Sequence, residues 1–127
     1  MFNSRPLSWC DYVEQRLHDE LGTERERRII RLECETGRAQ IRETDDVIFI
    51  YRIEQSIDTS QEFVIVALAG KNVREFADAL ATWCYERGIP RIRFHSRHDP
   101  ELQSRFMPRH LPGFERLENV YVREVLH

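Results

Sequence analysis

The sequence predicts an α/β fold, a mixed sheet with helices on both faces. Three observations carry that expectation. Val47-Ile48-Phe49-Ile50-Tyr51-Arg52-Ile53 and residues 63–68 are near-continuous apolar runs of strand length, the pattern of strands buried on both faces. Val73, Phe76, Ala77, Leu80, Trp83 and Cys84 recur at helical spacing. Residues 62–95 as a whole read strand, glycine turn, capped amphipathic helix, glycine stop and strand, a βαβ unit.

From the N-terminus, Ser8 is placed to cap a first helix, with Trp9, Tyr12, Val13, Leu17 and Leu21 on one stripe and Gly22 as its stop. Thr23 and Glu26 have the spacing of a capping box, each side chain satisfying the other residue's backbone N–H. A second helix can run from there to Thr36 before Gly37. Ile29, Ile30, Leu32 and Cys34 do not make a clean helical stripe, so a strand over 29–34 is the alternative.

Residues 39–43 read as a short strand, Asp45-Asp46 as a turn, 47–53 as a strand and 56–61 as a polar connection. After the strand at 63–68, Asn72 caps the next helix, with Glu75 three residues on, and Gly88 and Pro90 end it. Residues 91–95 return as a strand. Asp99-Pro100 opens a fourth helix with Leu102, Phe106 and Met107, since proline suits the first helical position. Gly113-Phe114 opens a short strand and 119–125 form the last one.

A length of 127 residues fits one domain, 1–127, with a core of its own. The net charge of −3 argues against nucleic acid and polybasic membrane attachment as partners. Three scattered cysteines, Cys10, Cys34 and Cys84, are no disulfide framework, so a reducing cytoplasm is expected. The N-terminal residues lack an apolar signal core, and no apolar stretch is long enough to span a bilayer.

The element order resembles the GNAT-type N-acetyltransferase fold, best over residues 62–125. There the strand–turn–helix, the strand at 91–95, the helix at 99–108 and the ending Pro112-Gly113-Phe114-Glu115 followed by Val120-Tyr121-Val122 all fit. Small GNAT-like proteins encoded by bacteriophages look similar in this region. The resemblance implies acetyl-CoA as a possible cofactor, its pyrophosphate held by backbone N–H groups in the turn after the central strand. The matching residues are Leu68, Gly70, Lys71, Asn72, Val73 and Arg74. The family's turn carries Q/R-x-x-G-x-G/A, whereas this one has a single glycine and a potentially self-capping Asn72. Lys71, the only lysine in the chain, and Arg74 remain as positive charge. The resemblance also implies a tyrosine as general acid, for which Tyr121 is the C-terminal candidate, and a glutamate as general base. Glu62 and Glu54 are the nearest.

Other constellations have simpler readings. His95 and His98 lack further ligands at metal-site spacing, so no metal is expected. Arg91, Arg93, His95 and Arg97 share one face of a strand: either a solvated face or a patch for an anionic partner. Cys84 lies on the apolar helix stripe and reads as core. The run Glu24-Arg25-Glu26-Arg27-Arg28 reads as a solvated helix face.

The functional expectation is therefore a degenerate GNAT-fold protein, a binding or structural component with a protein partner. It is expected to be phage-encoded, in a virion or against a host protein in the host cytoplasm. The alternative is a small acetyl-CoA-dependent N-acetyltransferase with a divergent phosphate turn.

Overall fold

The computed structural model describes residues 1–55, 57–95, 115–117 and 120–125. Among these residues seven strands form one mixed sheet: β1 Arg5–Leu7, β2 Gln40–Glu43, β3 Val47–Gln55, β4 Gln61–Gly70, β5 Arg91–His95, β6 Glu115–Leu117 and β7 Val120–Glu124. Their order across the sheet is β1-β2-β3-β4-β5-β7-β6. Every neighbouring pair is antiparallel except β4–β5, which is parallel, as a helical crossover requires. That crossover is α3 (Val73–Glu86). Helices α1 (Asp11–Arg16) and α2 (Glu24–Glu35), with a short 3₁₀ turn at His18–Glu20, complete the described helices.

Two cores sandwich the sheet. Alternate residues Phe49, Tyr51, Phe63 and Ile65 pack with Phe76, Leu80 and Cys84 of α3 on one face. Ile48, Ile50 and Val64 pack with Val13, Leu17, Leu21 and Ile30 on the other. β3 and β4 are thus covered on both sides, and this is why their apolar runs are continuous. A register shift beside Ile50/Tyr51 leaves Val66 as an extra residue on β4. Val66 and Ala67 then both face the α1/α2 core, as a β-bulge permits.

α3 follows its stripe. Phe76, Ala77, Leu80 and Cys84 are buried, with Val73 and Trp83 against them. Each large apolar side chain contributes about 1.5–3 kcal/mol on burial. The helix stops in a Schellman motif: Gly88 is left-handed at φ +69°, its N–H bonds Tyr85 O (3.2 Å), and the Ile89 N–H bonds Cys84 O (2.9 Å).

Several expectations are corrected. α1 begins at Asp11 with Cys10 at its N-cap, so Ser8 caps nothing, and Trp9 packs beside the core from outside the helix. Strand β1 was not foreseen; it is a three-residue edge strand containing Pro6, paired to β2. The helical reading of the next segment holds against the alternative strand over 29–34: α2 spans Glu24–Glu35 with Thr36 as its C-cap, and the capping box is formed in both directions. Its stripe read poorly because charged residues share the covered side. Ile30 is buried there, while Arg27 meets Glu14 at 3.8 Å and Glu33 meets Arg52 at 2.7 Å. Ile29 and Leu32 point to solvent. β3 and β4 run further than expected, to Gln55 and from Gln61 to Gly70. The helix at 99–108 and the Gly113-Phe114 strand start lie outside the described residues.

Candidate functional site

The two ends of β4 hold most of the residues singled out from sequence. Gly70 and Glu62 are eight positions apart on one strand, roughly 26 Å at about 3.3 Å per residue. Only a long, extended ligand could engage both.

At the Gly70 end the strand meets the β2–β3 turn. Gly70 is the last residue of β4, paired with Val47, and sits at φ +140°. A Cβ there would stand 2.1 Å from Asp46 O and 2.8 Å from Val47 Cα. The glycine is required by this backbone contact. The Lys71 N–H donates to the same Asp46 O at 3.0 Å. One amide of the proposed phosphate turn is therefore already bonded within the fold. Asn72 stands at the N-cap of α3 but does not cap with its side chain, contrary to expectation. Its backbone is left-handed, φ 53° and ψ 41°, a conformation asparagine tolerates better than most residues. The first amides of α3 thus receive no side-chain cap. Lys71 and Arg74 are exposed beside them, Val73 is half-buried, and Leu68 is buried in the α3-side core.

At the other end, one row of the sheet lines up Glu54, Glu62, Arg91 and Glu124 as successive cross-strand partners on β3, β4, β5 and β7. Glu62 is buried, 5% exposed. Arg91 Nη1 donates to Glu62 Oε1 at 3.0 Å and Arg93 Nη2 to the same oxygen at 3.3 Å. Arg93 Nε lies 3.0 Å from Glu62 Oε2 without hydrogen-bond alignment, so that contact is ionic. Arg91 Nε donates to Glu124 at 2.9 Å. Its bonds to Glu124 and then Glu62 raise its already high pKa. Glu54 pairs with Arg52, which also holds Glu33. A groove of about 560 Å³ opens here, lined by Glu54, Gln55, Ile57, Asp58, Glu62, Arg91 and Arg93.

The expected basic stripe is thus not a free patch. Arg91 and Arg93 face the Glu62 side of the sheet but are engaged by carboxylates. His95 closes β5, and its side chain, with Arg97 and His98, lies outside the described residues. Tyr121 pairs with Phe94 across β5–β7, and its side chain is likewise outside them. Cys84 is buried as expected, and burial pushes its thiol up to about 12. Among the described residues no group of three His, Cys, Asp or Glu could hold a metal, and no helix is long and apolar enough to cross a membrane.

Sequence reasoning missed Asp46 as the neighbour of Gly70, Asp58 in the groove and Glu124 as a partner of Arg91. The pairing of 54 with 62 follows from the hairpin register. A glutamate on either side of a polar connection was its one visible sign.

No protein-family model matches the chain, and no match is found among curated proteins. Solved structures do match along nearly its whole length. A GNAT-family acetyltransferase from Staphylococcus aureus Mu50 superposes with a TM-score of 0.54 at 12% identity, over 96% of this chain and 99% of that one. One from Listeria monocytogenes 4b F2365 gives 0.51 at 12% identity, over 95% and 94%. One from Bacillus cereus ATCC 10987 gives 0.50 at 17% identity, over 98% of both chains. At such low identity the likeness speaks for architecture. The mixed sheet, the α3 crossover and this full-length agreement identify the fold as that of the GNAT acetyltransferases.

Proposed function

We propose that this chain uses the GNAT fold to bind another protein and does not transfer acetyl groups. The observation that carries this reading is Asp46 O, which fills the space beside Gly70 and takes the Lys71 N–H. A pyrophosphate cradle needs consecutive free amides and open space over glycine. The ion-paired state of Glu62 supports the same reading, because a general base must be free to take a proton. A phage particle or a host protein is the setting the sequence likeness of residues 62–125 points toward.

The test is a melting curve with acetyl-CoA at millimolar concentration. Binding at a hundred times the dissociation constant would add about 2.7 kcal/mol, several degrees in a domain this size. No shift is expected. A shift together with release of free CoA in the presence of amines would overturn the proposal.

One observation favours the acetyl-CoA-dependent alternative. The N-terminus of α3 carries no side-chain cap, and Lys71 and Arg74 are exposed beside it. If a shift appears, Lys71→Glu/Arg74→Glu should abolish it. Gly70→Asp is a poor control, since any side chain at 70 strikes Asp46 and lowers stability directly.

A further inference from the structure

The first residues of the chain wrap the outer edge of β2. Met1 and Phe2 pack against the α3-side core. The Phe2 ring lies 5.9 Å from that of Phe76, which is 4.8 Å from Phe49. β1 then pairs with β2 from Arg5↔Glu43 to Leu7↔Ile41, and Leu7 packs against the α1/α2 core. Adjacent β2 residues clasp this segment from opposite faces of the sheet. Arg42 donates from Nε to the Ser4 hydroxyl at 2.6 Å and from Nη2 to Ser4 O at 2.8 Å. Buried Glu43 accepts from Arg5 Nη2.

The attachment is light. Pro6 brings no N–H to the ladder, and Arg5 and Pro6 are exposed. Asn3 is left-handed at φ 50°, in a turn closed by the Ser4 N–H and hydroxyl on Met1 O at 3.0 and 2.7 Å. Glu43 does not depend on Arg5. From α1, the Tyr12 hydroxyl and Arg16 Nη1, the latter at 3.2 Å, donate to its other oxygen. Release of residues 1–7 therefore strands no buried carboxylate, the loss that makes breaking a buried ion pair costly. It bares the outer edge of β2 together with the Phe76 ring.

We propose that residues 1–7 are a strap that lifts from β2 while β3 to β5 stay folded, and that an extended segment of a partner protein takes its place. The strap is the template for that segment. It is a strand antiparallel to β2, with an aromatic side chain on Phe76 and, three positions later, an arginine on Glu43. An unpaired sheet edge invites pairing with another chain, and the strap keeps this one closed until a partner competes. The fraction of chains with the strap lifted sets the apparent affinity. The inference deepens the protein-binding reading and rests on it for the partner.

Amide hydrogen exchange of the full chain, followed by NMR, reads the strap directly. The amides of residues 2–7 and the β2 amides facing β1 should exchange together, about a hundredfold faster than those of 47–53. Phe2→Ala/Arg5→Ala should speed both sets about tenfold more and leave 47–53 unchanged. Equal rates in the strap and β3, or a variant that speeds β3 as much, overturns the inference. The binding probe is a fluorescent peptide of residues 1–7, followed by anisotropy. It should bind the Phe2→Ala/Arg5→Ala chain about tenfold more tightly than the parent chain. The same peptide carrying Phe2→Ala and Arg5→Ala should not bind. Equal binding of the two peptides, or no gain from loosening the strap, also overturns it. The acetyl-CoA melting test reads a different ligand, so failure of the strap and failure of the non-catalytic reading are told apart.

Discussion

The two ends of β4 carry glycine and charge for opposite reasons. At Gly70 two backbone segments approach so closely that a side chain is excluded, and Asp46 O absorbs an amide of the following turn. At Glu62 a buried carboxylate is held by the guanidinium groups of Arg91 and Arg93. One end is closed by backbone contact and the other by ion pairs. The glycine that marks the turn in sequence answers to a close backbone contact, and Arg91 and Arg93 of the expected stripe line a groove with Glu62.

Four perturbations would break or sharpen that contrast. Gly70→Ala should be the most damaging, costing about 3 kcal/mol, because the new Cβ must displace the Asp46 carbonyl and occupy a positive φ. Urea unfolding would measure it, and a cost under 1 kcal/mol would mean the contact is not tight. Glu62→Gln should cost about 2 kcal/mol by leaving Arg93 without its carboxylate in a half-buried setting. If the variant is as stable as the parent, the ion-pair row is ornamental. Gly88→Ala, at the far end of α3 from Asn72, should cost about 1 kcal/mol. Open space surrounds its Cβ position, so only the left-handed backbone resists, and the loss should be far smaller than at Gly70.

The smallest effect concerns the thiols. Burial pushes Cys84 up to about 12, and burial with the neighbouring Glu33 and Glu35 does the same for Cys34. In the unfolded chain both ionise near the ordinary value of 9.0. The unfolded state therefore loses these protons first, and stability falls as pH rises from about 9 towards 12. Cys34→Ser/Cys84→Ala should flatten that fall in melting curves. In the native protein a thiol reagent at pH 8 should label the exposed Cys10 first and reach all three only in denaturant.

Much of the fold was legible because its signals are local. The α3 stripe, the Thr23–Glu26 box, the Gly88 stop and the apolar runs of β3 and β4 each depend on a few consecutive residues. The misreadings arose where neighbours in space decide. α2 hid its helical period because Arg27 and Glu33 share its covered side, paired to Glu14 and Arg52. β1 is made a strand by β2. The candidate site was less legible than the fold. Glu62, Glu54, Arg91 and Arg93 were each visible, but their meeting depends on β3–β4 register and on the parallel placement of β5.

Taken alone, the sequence determined the α/β class and most of the element types, since hydrophobic period, caps and glycine stops act over one or two turns of chain. Only the tertiary structure decided what the flagged residues do. Gly70 answers to a carbonyl twenty-four positions earlier, and Glu62 to arginines roughly thirty positions later. Charge and close contact are settled by distance in space, which local pattern does not encode.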